Sequence, residues 1–114
     1  MGADVFNPEL KRGSLELLIL AMLEAGPRHG YEVGRQLERR SGGALDLSVS
    51  TLYSILYRME QRKWIRARWV ERPGERRRCY YTLTPAGTAT LAKQRKEWRA
   101  FSTMVSQMIG ASHA

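Results

Sequence analysis

Two adjoining stretches decide the fold: SVSTLYSILYRMEQ at residues 48–61 and, after Arg62 and Lys63, WIRARWVERPGERRRCYYTL at residues 64–83. In the first, Ser48 is a good N-cap, and Leu52, Ile55, Leu56 and Met59 fall on one apolar stripe at helical spacing. At about 100° per residue the opposite face carries Ser50, Ser54, Tyr57 and Gln61, flanked by Thr51, Tyr53 and Arg58. In the second, the period changes to two. Ile65, Ala67 and Trp69 alternate with Arg66 and Arg68, Pro73–Gly74 marks a turn, and Cys79 to Leu83 is a second β-rich run. A helix with a polar outer face, followed by a hairpin with arginines at its tip, is thus the central unit.

Working outward, a first helix is expected from about Pro8 or Ser14 to Leu23, ended by Gly26–Pro27. Leu15, Leu18, Ile19 and Met22 keep 3–4 spacing, and Leu17, Leu20 and Leu23 widen the apolar surface, so most of that helix should be covered. A second helix spans about His29 to Arg40, burying Tyr31, Val33 and Leu37, and stops at Gly42–Gly43. Past the hairpin, Thr84–Pro85 is an N-cap followed by proline at the first helical position, and nothing breaks the helix until about Ile109. Leu91, Trp98 and Val105 lie seven apart, and Phe101 and Met108 complete an apolar seam with Gln94 its polar member. A helix of ~24 residues is ~36 Å long and outruns so small a core, so the seam is expected to continue into a second subunit. The expected fold is mainly α with a small β-hairpin: a winged helix-turn-helix over residues 1–84, then a long C-terminal dimerisation helix and tail over 85–114.

The charge is focused. Residues 1–46 hold six basic and seven acidic side chains, whereas residues 47–99 hold 13 and four. Nine of the basic residues lie within 58–78, which points to a polyanionic partner, because each one docked on a phosphate releases counterions. Other classes recede. The longest apolar run, Leu17 to Leu23, falls far short of the ~20 residues that cross a bilayer, so no membrane partner is expected. No basic-then-apolar leader opens the chain, and the expected compartment is the cytoplasm. One cysteine, Cys79, and two distant histidines, His29 and His113, make no metal site, and no cofactor is expected. Catalytic triads, paired carboxylates and glycine-rich phosphate loops are missing from the sequence, so enzymatic activity is not expected.

The order of elements suits duplex DNA. Short polar residues at the start of the third helix (Ser48, Ser50, Thr51, Ser54) let it sink into a major groove, where Tyr57, Arg58 and Gln61 are long enough to reach bases or backbone. Arg76, Arg77 and Arg78 at the hairpin suit the minor groove or adjacent phosphates. Tyr53, nearer the apolar edge, reads equally as a contact or as packing. Arg66 and Arg68 add to the field from solvent, His29 reads as a structural helix-start residue, and Cys79 as a small buried hydrophobe. An RNA- or ribosome-binding module is the alternative for the same basic surface, although its aromatics are not arranged as stacking platforms on a sheet. A protein-interaction module built on the terminal helix is another.

Residues 29–32 (HGYE), 50–60 (STLYSILYRME) and 78–87 (RCYYTLTPAG) resemble, in order and spacing, the PadR-type transcriptional regulators, and the similarity covers about Leu15 to Trp98. The short chain with one C-terminal helix is similar to the smaller PadR-like subgroup. The resemblance implies a cytoplasmic, homodimeric repressor that binds a double-stranded DNA operator, with the last helix packed on its two-fold mate through Leu91, Trp98, Phe101, Val105 and Met108. In some members an aromatic ligand or drug lodges between subunits. Trp98 matches a tryptophan lining that pore, so Trp98 and Phe101 are the candidate effector-binding residues for a small hydrophobic molecule, with plain dimer core as the competing reading for Trp98. Four positions depart from the family pattern: Ser50 replaces a frequent glycine, Ser54 a frequent proline, and Lys63–Trp64 a common glycine-leucine pair. Glycine suits a left-handed helix cap, so Lys63 there costs ~1 kcal/mol or marks a different helix exit.

Overall fold

A computed structural model describes residues 8–110, with side chains from residue 14 onward. His113 and the outer ends of the two expected domains lie outside the described residues. The element order is α1 (Pro8–Glu24), β1 (Arg28–His29), α2 (Gly30–Arg40), α3 (Val49–Gln61), β2 (Ile65–Val70), β3 (Arg78–Leu83) and α4 (Pro85–Ile109). The broad apolar surface of α1 is explained by its neighbours: Leu15, Ile19, Leu20, Met22 and Leu23 are all buried in one cluster with Val33 and Leu37 of α2. From α3 the whole stripe of Leu52, Ile55, Leu56 and Met59 enters the same cluster, leaving the polar face outside.

The hairpin pairs Ile65 with Leu83 at its base and Val70 with Arg78 at its far end. Its turn closes with Glu75 N–H donating to Arg72 O at 3.0 Å, around Pro73–Gly74. The sheet is larger than the expected hairpin by one short strand, because β1 pairs antiparallel with β3 (Arg28 with Tyr81, His29 with Tyr80) and gives the order β1-β3-β2. Tyr81 is buried against the helices, and burial, reinforced by neighbouring Cys79, pushes its phenol pKa upward.

Two helices end in the same hydrogen-bonded motif with different residues at the critical place. After α2, Gly43 N–H donates to Glu38 O and Gly42 N–H to Arg39 O, with Gly42 at φ 65°. After α3, Trp64 N–H donates to Met59 O and Lys63 N–H to Glu60 O, with Lys63 at φ 67°. Lys63 is the one non-glycine among the described residues at positive φ. The exit of α3 therefore keeps the left-handed cap, and the lysine bears the steric cost. Lys63→Gly is expected to stabilise the fold by about 1 kcal/mol, raising Tm by roughly 4 °C in thermal unfolding. An unchanged or lower Tm would mean that the lysine side chain makes up the difference.

Several sequence expectations need correction. Tyr31 is exposed, with its ring stacked near His29 and its hydroxyl accepting from Arg35 at 2.9 Å. Trp69, which the alternation places on the Ile65 face without saying whether it is buried, is exposed because the outer half of the hairpin overhangs the core, and Arg77 covers its ring with a 4.6 Å approach. Leu91 is 1% exposed and belongs to the chain's own core, so it is not available to a second subunit. For the same reason a boundary at residues 84/85 follows the start of α4 but divides its packing. Gly87 and Leu91 of α4 are buried, and Arg95 pairs bidentately with Glu24 of α1, at 2.8 and 3.0 Å. That hydrogen bonding holds the Glu24 carboxyl below its ordinary range.

Candidate nucleic-acid interface

The start of α3 is built as the sequence requires. Ser48 Oγ accepts from Thr51 N–H at 3.2 Å and lies 2.9 Å from Thr51 Oγ1 and 3.4 Å from Ser50 Oγ, making a small hydroxyl cluster at the positive end of the helix. Ser48, Ser50, Thr51, Ser54, Tyr57, Arg58 and Gln61 are all exposed. Tyr57, at 62% exposure, stands clear of the core. Tyr53 divides its surface. It is 39% exposed, and its phenol end lies against Gly30, where a Cβ would collide with it. Packing and exposure thus coexist at Tyr53.

The wing stands beside this helix. Tyr53, the His29–Tyr31 segment and Arg76, Arg77 and Arg78 line one open groove of about 630 Å³, bounded by Trp69. Arg77 is ordered twice over, by its stack on Trp69 and by an ion pair from Nε to Glu71 Oε1 at 3.3 Å. Arg78, at the start of β3, places Nη1 2.9 Å from His29 Nε2. Residues 19–93, spanning this entire unit, match the Transcriptional regulator PadR-like family. The chain belongs to that family.

Relatives match over more of the chain than these residues. Protein X of Lysinibacillus sphaericus, itself uncharacterized, is 30% identical over 90 residues, covering 79% of this chain and 83% of the relative. A transcriptional regulator from Clostridium thermocellum superposes with a TM-score of 0.80 at 27% identity, covering 90% of this chain and 97% of that one. A PadR family transcription regulator from Clostridium difficile superposes at 0.76 and 30% identity, covering 83% and 97%. The PadR-like family is one of transcriptional regulators, not enzymes, and DNA-binding regulation is the function this chain shares with it.

Within this PadR-like chain not every basic side chain is spent on the outer face. Arg62, counted with the basic run, instead reaches back to Glu16 of α1 at 3.3 Å and covers the Trp64 ring at 5.0 Å. Glu16 is 8% exposed, so this pair ties the end of α3 and the base of the wing to the core. Sequence reasoning missed the His29–Arg78 contact, since β1 is two residues long and carries no alternation of its own, and the exposure of Tyr31, which sits at the edge of the α2 stripe.

On the far half of α4, Trp98 (51% exposed) and Phe101 have ring centroids 6.3 Å apart. They border a shallow cleft of about 310 Å³ with Ser14 and Leu17 of α1. Met104, Met108 and Ile109 continue the exposed apolar strip, with Val105 half-buried beside them. No helix among the described residues is long and apolar enough to cross a membrane.

Proposed function

We propose that this PadR-like regulator is a cytoplasmic, homodimeric repressor that reads an operator in double-stranded DNA. What carries the reading is an exposed polar α3 face whose flanking Tyr53 shares one open groove with the arginines of the wing. In this reading Ser48, Ser50, Thr51 and Ser54 let α3 enter the major groove, and Tyr57, Arg58 and Gln61 contact base edges or flanking phosphates. Arg76, Arg77 and Arg78 engage the neighbouring backbone or minor groove. Dimerisation is supported by the exposed strip of Trp98, Phe101, Met104 and Met108, too apolar a helix face to leave in water. A two-fold dimer sets its recognition helices about one DNA turn, ~34 Å, apart. A small hydrophobic molecule lodged at Trp98 and Phe101 would change how the two copies of α4 cross, and with it that spacing, which relieves repression.

The test is a salt titration of binding to the DNA just upstream of the protein's own gene, with random duplex DNA and structured RNA as competitors. Binding by a sedimenting dimer, steep in salt and at least ~10³-fold tighter than to random duplex, is expected. A monomer in sedimentation, or preference for RNA, would overturn the proposal.

A further inference from the structure

The contact between His29 and Arg78 contains an unmatched donor. His29 is the N-cap of α2, and its Nδ1 accepts from the Glu32 backbone N–H at 3.2 Å. In a neutral imidazole that leaves the proton on Nε2. Yet 2.9 Å from Nε2 stands Nη1 of Arg78, which can only donate. The ring lies parallel to that of Tyr31, with centroids 6.3 Å apart, and edge-on to Tyr80 at a centroid distance of 5.5 Å. Nor does the carboxylate of the adjoining turn resolve the conflict: Glu32 is held by Arg28 at 2.8 Å. Two donors converge, and above them opens a cleft of about 350 Å³ lined by His29, Tyr31, Arg35, Arg39 and Arg78 as well as Glu32.

We infer that His29 and Arg78 form a two-pronged clamp for one backbone phosphate of duplex DNA, joining the start of α2 to the wing. One phosphate oxygen accepts from His29 Nε2–H and another from the Arg78 guanidinium, and both prongs are then satisfied with the N-cap of α2 intact. The surrounding Arg35, Arg39, Arg76 and Arg77 favour an anion, and Glu32 is already neutralised by Arg28. This rests on the DNA-binding reading above and adds α2 to the interface. The two prongs also differ in kind. Arg78 carries a permanent charge and releases a counterion on binding, whereas the His29 prong is a hydrogen bond from Nε2–H.

The wild type, His29→Asn, Arg78→Gln and the double variant Arg76→Ala/Arg77→Ala are titrated with a mixed-sequence duplex of about 30 base pairs, which spans the ~34 Å turn with room to spare. Asparagine keeps the helix cap. His29→Asn is expected to weaken binding about tenfold with an unchanged salt slope. Arg78→Gln is expected to weaken it and to lower the slope by ~0.9. Wild-type binding by His29→Asn, with weakened binding by Arg76→Ala/Arg77→Ala, overturns the clamp and leaves the wing reading standing. No loss in any of the three overturns both. Displacement of the duplex by inorganic phosphate at constant ionic strength, in the wild type but not in His29→Asn, reassigns the seat to a free anion and overturns the DNA clamp. Ring ¹⁵N spectra in a His113→Ala background, which leaves one histidine, provide a check independent of variant stability. The Nε2–H tautomer and a shift of that resonance on adding duplex are expected; the Nδ1–H tautomer, or no shift, overturns the clamp.

Discussion

Replacing Arg76, Arg77 and Arg78 together by alanine is expected to weaken binding to every duplex, operator or random, by roughly two to three orders of magnitude. Each exposed arginine docked on a phosphate contributes on the order of 1–1.5 kcal/mol, and the three lie on one rim of the groove beside α3. The slope of log K against log salt should fall by ~2.7, the loss of three neutralised phosphates. Arg77 adds a conformational share, because its stack on Trp69 and its pair with Glu71 hold the outer hairpin in shape. Tyr57→Ala and Gln61→Ala are the comparison. They should change the preference among sequences while leaving the slope near wild type. Titrations on operator and random duplexes at four or more salt concentrations separate the two classes. If the arginine triple loses affinity for one sequence only, or keeps its slope, the wing is not a phosphate contact.

How much of this was legible depends on whether a residue's environment is set by its own element. The α3 stripe of Leu52, Ile55, Leu56 and Met59 was, because one helix face against one core produces a clean period, and all four are buried. At Lys63 the expectation came from the family resemblance, which puts a glycine there and left a strained cap or a different exit open; the positive φ is there with a lysine in it. Trp69 shares the parity of Ile65 but not its burial, because alternation assigns a face of the strand and says nothing of where the core ends beneath it. Tyr31 failed in a similar way at the edge of the α2 stripe. Leu91 lies seven residues before Trp98, so spacing alone joins them in one seam. Three-dimensional packing divides them: the first turns of α4 lie on α1 and the sheet, while Trp98 and Phe101 lie past the point where the core stops. The His29–Arg78 pair, 49 residues apart in sequence, arises wholly from sheet register.

Gly87→Ala should be the most destabilising single substitution proposed for this chain, against what helix propensity says of it. In an open helix, glycine to alanine gains ~1 kcal/mol. Gly87 occupies the first turn of α4, buried, with its N–H donating to Thr84 Oγ1 at 3.0 Å. A Cβ there would collide with the backbone carbonyl of Trp64 and come within 2.9 Å of Leu83 Cδ1. Trp64 O cannot retreat easily, because it accepts the Thr84 backbone N–H at 3.0 Å and lies 3.0 Å from the Thr84 hydroxyl. The same hydroxyl lies 2.6 Å from Lys63 O, so the α3 exit, the base of β2 and the cap of α4 meet at one point. Relief of the clash requires α4 to move off that point. Overpacking of ~1–3 kcal/mol then adds to the loss of about two hydrogen bonds at about 1 kcal/mol each, for a net cost of about 2–4 kcal/mol after the propensity gain of ~1 kcal/mol. Urea unfolding measures it as a lowered midpoint at constant m. The wing hangs from the same junction, with β2 leaving it and β3 returning to it, so duplex affinity should fall even where the variant is fully folded. Stability equal to wild type would show that α4 is seated loosely on the wing base, and the rigid placement of Arg76–Arg78 beside α3 would need another cause.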